Sequence, residues 1–236
     1  MQNSFDALWV NVSPSLKVFD LPLQQYLSRY CKVVRWEYVQ TLDEESCLEK
    51  AVTLLYDFIK SHNRQVHLIG HGISGVVALI FTRRYPHRVR SLTLLAVAPN
   101  SEVTWHAHYY TQRHLFYNLT CNQLLAIYTH ALFGNYLPYP VNTLVNALKK
   151  DLEESPSMHS LFNLKKLPLG KILTPLIVCG SKTDPVVSPP DLFNWMKYFK
   201  PGDTVWESPD GYHFFHYYYP ELVGEQILNF WRNYPM

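Results

Sequence analysis

Short apolar runs alternate with longer amphipathic stretches along most of the chain. The short runs are rich in β-branched residues, which is typical of buried strands, and the amphipathic stretches, such as 51–59, have the spacing of helices. The predicted strands cover residues 7–12, 32–36, 66–70, 91–96, 176–180 and 203–207. This alternation predicts an α/β fold, with a mostly parallel sheet flanked by helices.

The alternation stops between about residues 101 and 169, where the sequence is aromatic and helical. A helical insertion between two strands is typical of a cap over the carboxyl ends of the strands, where α/β folds bind ligands. We predict a single domain over residues 1–236 with a helical cap at about 101–169. A plain packing element is the alternative for this insertion.

The composition excludes several classes of protein. The chain has 236 residues, of which 47% are hydrophobic and 17% charged, so it buries a large core and is not intrinsically disordered. The net charge of +2 comes without a basic block, so nucleic acid is not an expected partner.

The cysteines and the apolar runs also limit the possibilities. The four cysteines form no CxxC pair, which favours neither a zinc knuckle nor a disulfide framework. No apolar stretch reaches the roughly 18 residues that a transmembrane segment needs. The first residues show no basic region followed by a long apolar run. A soluble, cytoplasmic protein without a cofactor is the expectation.

Three segments resemble the α/β-hydrolase family. Residues 66–99 read VHLIGHGISGVVALIFTRRYPHRVRSLTLLAVAP, similar to the family's strand, GHSxGG elbow, apolar helix and following strand. Residues 176–184 are similar to the strand and loop that deliver the family's acid, and residues 211–216 to the loop that delivers its histidine. The resemblance implies Asp184 as the acid and His213 as the base, in the family's chain order.

One departure from the family pattern bears on the chemistry. Gly72 stands where the family's nucleophilic serine belongs, so His213 has no hydroxyl group to deprotonate at this position. In a comparable enzyme, losing the serine alone lowers turnover about 10⁶-fold. The resemblance therefore implies the fold without ordinary acyl-enzyme catalysis.

The flanking residues leave alternatives open. Ser74 is either a displaced nucleophile or, as we favour, a small polar residue at a tight crossing of helix and strand. The backbone amides of Ile73 and of Val12 or Ser13 are expected to form an anion-binding hole, because a helix N-terminus points at the pocket. His71 is expected to pack beside the site.

The histidines bear on whether the protein binds a metal, and the aromatic residues on whether it binds a ligand. His213 and His216 are three residues apart, but no spacing among the eleven histidines specifies a ligand set, so no metal is expected. Aromatic residues are dense both in the insertion and around His213. This pattern favours a pocket for a small apolar or amphipathic ligand, or a core with no ligand.

Three functions are therefore open. The first is a non-hydrolytic protein that binds a small apolar ligand, or a protein partner, in the former active site. The second is an enzyme in which His213, oriented by Asp184, acts as a general base without a covalent intermediate; the alternative role of this pair is purely structural. The third is a serine hydrolase, acting through Ser74 or through a natural serine that Gly72 replaces.

Overall fold

Six strands form the core of the molecule. The computed structural model describes residues 5–40, 43, 47–62, 64–100, 103–157, 159 and 169–235. Within these residues the strands are β1 (Ala7–Asn11), β2 (Val33–Glu37), β3 (Val66–His71), β4 (Val89–Leu95), β5 (Leu176–Ser181) and β6 (Thr204–Ser208). They form one parallel sheet in the order β2-β1-β3-β4-β5-β6. Each strand overlaps a predicted one, and the predicted fold class is confirmed.

Helices connect the strands and cover the sheet. Their bounds are α1 (Leu21–Leu27), α2 (Leu48–Ile59), α3 (Gly72–Arg84), α4 (Trp105–Leu115), α5 (Cys121–Phe133), α6 (Val141–Glu154), α7 (Pro189–Phe193), α8 (Phe215–Tyr218) and α9 (Pro220–Arg232). Short 3₁₀ turns lie at Pro14–Phe19, Pro86–Arg88 and Asn194–Tyr198. No helix in the described residues is both long and apolar enough to cross a membrane. The cytoplasmic location stays a prediction.

The strand order determines where a ligand site is expected. The chain runs from β1 outward to β2 and then returns past β1 to β3, so the order reverses between β1 and β3. In open α/β sheets, ligands bind at such a reversal, beyond the carboxyl ends of the strands. Val12 follows β1 and Gly72 follows β3 at this point. Every residue of β1 is buried, which explains why its sequence is apolar up to Asn11 at its carboxyl end.

Helices α4, α5 and α6 form the described part of the predicted insertion, between β4 and β5. They contact the segments that follow the strands: the Phe133 ring stacks on Phe214 with centroids 4.5 Å apart, and the amide of His213 donates to the carbonyl of Leu132 at 3.1 Å. Residues 101–102, 158 and 160–168 lie outside the described part of the chain. The function of the insertion as a cap stays a prediction.

Candidate functional site

Gly72 occupies a sharp turn between β3 and α3. Its φ angle is +50°, in the left-handed region that glycine adopts without strain. Close contact of the strand with the helix shapes this turn. A Cβ atom on Gly70 would lie 2.7 Å from the backbone of Gly75, and one on Gly75 would lie 2.8 Å from the carbonyl oxygen of Gly70. The glycines in GHGISG therefore determine where Gly72 lies.

Asp184 and His213 form a buried pair beside this turn. Nδ1 of His213 lies 3.0 Å from Oδ2 of Asp184, and both side chains are almost fully buried. The other carboxylate oxygen, Oδ1, accepts hydrogen bonds from the amides of Val186 at 2.8 Å and Val187 at 3.1 Å. These amides fix the orientation of the carboxylate, which in turn orients the imidazole.

The second nitrogen of His213 faces Gly72. A Cβ atom on Gly72 would lie 3.7 Å from Nε2 of His213. This nitrogen is buried and has no hydrogen-bond partner in the described part of the chain. The structure therefore brings Gly72 together with Asp184 and His213, both of which lie more than 100 residues after it in the sequence.

The two loop amides expected to bind an anion have partners within the protein. The amide of Val12 donates to Oγ of Ser74 at 3.0 Å, and the amide of Ser13 donates to Oδ1 of Asn11 at 2.8 Å. The amide of Ile73 lies in the first turn of α3, where N–H groups have no partner within the helix. The expected hole thus has its helical amide in place, while both loop amides are engaged.

A small cavity separates these groups. Its volume is about 20 Å³, compared with the 10–15 Å³ that a single water molecule needs and the 300–1,000 Å³ of typical ligand pockets. Polar and apolar side chains line it together: Ser13, Leu16, Asp20, His71, Gly72, Ile73, Ser74, Trp105, His213 and Phe214. The cavity accommodates water in this conformation, and a ligand of ordinary size does not fit.

Comparisons with known proteins identify the family. No family model matches the sequence. The uncharacterized protein alr2406 of Nostoc sp. is 49% identical over 98% of this chain and 92% of its own length. The uncharacterized protein sll0249 of Synechocystis sp. is 38% identical over 96% of this chain and 90% of its own length. The chain belongs to the same protein family as these two cyanobacterial proteins.

Solved structures establish the fold. A bacterial membrane phospholipase A superposes with a TM-score of 0.73 and 15% identity over 99% of this chain and 80% of the other. The type II thioesterase BorB superposes with a TM-score of 0.67 and 17% identity over 98% of this chain and 93% of its own. Naproxen esterase of Bacillus subtilis superposes with a TM-score of 0.69 and 13% identity over 98% of this chain and 85% of its own. This protein has the α/β-hydrolase fold. The resemblance inferred from the sequence is confirmed for the fold.

Two buried polar groups beside the cavity of this α/β-hydrolase-fold protein were not found from the sequence. The first is Asp20, which lies just after the 3₁₀ turn that follows β1 and lines the cavity. Its Oδ1 lies 2.9 Å from Nε2 of His216, and its Oδ2 accepts a hydrogen bond from Nε1 of Trp9 at 3.1 Å. The aspartate and His216 are 196 residues apart, so spacing along the chain carries no signal for this pair.

His71 lies between the two buried pairs. Its ring centroid is 4.8 Å from that of His213 and 4.5 Å from that of His216. Nε2 of His71 lies 3.0 Å from the carbonyl oxygen of His213. Burial, together with the neighbouring His216 and His213 rings, holds the pKa of His71 well below its usual value of 6.5. His71 is therefore neutral near pH 7, beside the site as expected.

The second missed group is a further buried pair in the insertion. Nε2 of His106, in α4, lies 2.8 Å from Oδ2 of Asp151, in α6, and both residues are inaccessible to solvent. Nε1 of Trp105 donates to the same oxygen at 3.2 Å, and the hydroxyl group of Ser155 donates to Oδ1 at 2.6 Å. These bonds join α4 to α6 and hold Trp105 against the cavity.

Proposed function

We propose that this protein does not hydrolyse esters through an acyl-enzyme and that its former active site is a small pocket lined by polar and apolar side chains together. The observation that carries the proposal is the geometry at Gly72. The buried Nε2 of His213 points at a strand-to-helix turn that has no side chain, although the rest of the acid–base pair is aligned. A nucleophile elbow needs a hydroxyl group at this position.

The bond between Ser74 and Val12 supports the same conclusion. In α/β-hydrolases, the oxyanion hole combines the amide after the nucleophile with an amide from a neighbouring loop. Here the loop amide of Val12 is bonded to the Ser74 hydroxyl at 3.0 Å. One such donor is worth about 10²–10³ in turnover. Ser74 therefore removes a second catalytic element, which agrees with its interpretation as a residue of the helix–strand crossing.

The volume of the pocket restricts its ligand. About 20 Å³ holds a water molecule, so the small apolar or amphipathic ligand expected from the aromatic residues enters only if the insertion moves. Trp105 and Phe214 are the apolar side chains that such a ligand has to displace. We include in the proposal that α4, α5 and α6 act as a cap, since Trp105 closes the cavity from their side.

General-base catalysis is the second candidate function. Nε2 of His213 is buried without a partner in the described residues and adjoins a cavity that fits a water molecule. An imidazole oriented by Asp184 in this way accepts a proton from water, which contributes about 10²–10⁴-fold for an activated substrate. The replacement His213→Ala is expected to abolish any such activity. Activity that survives this replacement would eliminate general-base catalysis by His213.

A labelling experiment tests the main proposal. The purified protein is incubated with a fluorophosphonate and analysed by intact mass spectrometry, and turnover of p-nitrophenyl acetate is measured in parallel. We expect no adduct, and no turnover near the 1–10³ s⁻¹ of ordinary enzymes. Ser74→Ala is the matched control, because an adduct on Ser74 would disappear in this variant. Such an adduct, together with esterase turnover, would refute the proposal.

A further inference from the structure

Three buried side chains from three different elements meet beside the cavity. Asp20 follows the 3₁₀ turn after β1, His71 ends β3, and His216 lies in α8. One donor atom from each lies within 4.8 Å of the other two. Donors on a tetrahedral Zn²⁺ ion, with bonds of about 2.1 Å, lie about 3.4 Å apart. No pair of donors therefore exceeds this separation by more than about 1.4 Å. Nε2 of His216 and Oδ1 of Asp20, which are 2.9 Å apart, have to separate by about 0.5 Å.

The donors are held in states that favour a metal. Nε2 of His71 donates to the carbonyl oxygen of His213, which leaves the lone pair on Nδ1. Oδ2 of Asp20 accepts from Trp9, so the carboxylate is fixed by an outer partner. Partners of this kind orient the ligands of known metal sites.

The local charge also favours a cation. Asp20 and Asp184 are two buried carboxylates near one small cavity. Their hydrogen-bond partners in the described residues are Trp9, His213, His216 and the amides of residues 186 and 187. None of these groups carries a permanent positive charge, and a buried carboxylate requires compensation. A divalent ion supplies two positive charges at this place.

The cavity provides a position for a fourth ligand. Asp20 and His71 both line the space of about 20 Å³, which fits one water molecule. Nε2 of His213 adjoins the same space without a partner among the described residues. Two histidines, one carboxylate and an open position for water are the ligand set of several zinc sites and also suit other first-row metals.

We propose that Asp20, His71 and His216 form a binding site for a divalent first-row transition metal of the Zn²⁺ type. When the ion binds, Nε2 of His216 gives up its proton and the ring stays neutral with a proton on Nδ1. The ion then takes Nε2 of His216, Oδ1 of Asp20 and Nδ1 of His71 as ligands and keeps a water molecule in the cavity. The proposal that Gly72 precludes acyl-enzyme catalysis does not depend on this site. The sequence does not predict this site, because Asp20 is distant from both histidines along the chain.

Metal titration of the full-length protein tests the site. The chelator-treated protein is titrated with ZnCl₂ by calorimetry and with Co²⁺ by visible absorption spectroscopy. We expect one ion per chain and the visible bands of four-coordinate Co²⁺. The variants Asp20→Asn and His71→Gln are each expected to weaken binding more than the 10–100-fold that loss of an outer partner causes. His62→Gln, which alters a buried histidine outside both the cluster and the cavity lining, is the matched control and is expected to bind as the wild type does.

Each result has a defined meaning. The absence of stoichiometric binding to the wild-type protein overturns the proposal. Unchanged affinity in both Asp20→Asn and His71→Gln also overturns it, since the metal then binds other histidines. Equal weakening in His62→Gln shows a general loss of structure and counts against the site. If Asp20→Asn does not fold, His71→Gln and the wild-type Co²⁺ spectrum still decide between four-coordinate binding and none.

Discussion

Restoring the serine alone is expected to leave this protein a poor hydrolase. The variant Gly72→Ser places a hydroxyl group on a carbon that lies 3.7 Å from Nε2 of His213, within the reach of the acid–base pair. The amide of Val12, however, remains bonded to Ser74 at 3.0 Å. The double variant Gly72→Ser/Ser74→Ala supplies the nucleophile and frees this amide, while alanine keeps the propensity of α3 to be helical.

The expected magnitudes follow from the two missing elements. The serine contributes about 10⁶-fold to turnover in a comparable enzyme, and one oxyanion donor contributes about 10²–10³-fold. The single variant has the nucleophile and the helical amide of Ile73, but lacks the loop amide of Val12. We therefore expect the double variant to exceed Gly72→Ser in kcat/KM by about 10²–10³-fold.

The assay compares four proteins under identical conditions. Wild type, Ser74→Ala, Gly72→Ser and the double variant are assayed with p-nitrophenyl acetate and labelled with a fluorophosphonate, and their thermal unfolding is recorded to correct for loss of structure. Ser74→Ala is expected to be as inactive as the wild type, because it lacks a nucleophile. Equal kcat/KM for Gly72→Ser and the double variant would refute the reasoning, since the Ser74 hydroxyl would then donate to the oxyanion itself.

The remaining predictions concern stability. Gly72→Ala and Gly72→Ser are both expected to lower the melting temperature, because φ is +50° and a side chain in this region costs about 1–2 kcal/mol of folding free energy; unchanged melting temperatures would argue against this backbone geometry. Gly75→Ala places a Cβ atom 2.5 Å from Val97 and is expected to destabilise by about 1–3 kcal/mol in urea titration, whereas an unaffected midpoint would contradict the close crossing. Burial, and secondarily Arg90, lower the pKa of His67 to about 4. Between the usual pKa of 6.5 and this value, the unfolded chain binds a proton that the folded chain does not. The free energy of unfolding therefore decreases by about 3 kcal/mol as the pH is lowered from 6.5 to 4. His67→Gln is expected to remove this part of the pH dependence, as measured by urea titration at several pH values.

Local patterns predicted the strands and the turn at Gly72 well. β1 and β3 are buried on both faces, so their sequences are mainly apolar and can be found without tertiary information. The GHGISG motif places Gly70 and Gly75 where only glycine fits, which makes the turn a local property. The pairing of Asp184 with His213 was also anticipated, because the resemblance gave both positions and the structure brings them within 3.0 Å.

The contents of the site were not predictable in the same way. The aromatic residues favoured either an apolar pocket with a few polar groups or a core with no ligand. The cavity beside His213 has a volume of about 20 Å³, with polar and apolar atoms in its lining. The bond from Val12 to Ser74 and the approach of Asp20 to His216 join residues 62 and 196 positions apart. No periodicity or spacing encodes contacts over such separations.

The sequence by itself determined the succession of strands and helices along the chain, the glycine turn and the absence of a hydroxyl group at residue 72. Each of these depends on neighbouring residues or on the chemical identity of one side chain. Only the tertiary structure decided how much space remains beside His213 and which amides and histidines face it. The physical reason is that a parallel sheet brings the loops after its strands to one edge, where side chains from distant parts of the chain pack against one another.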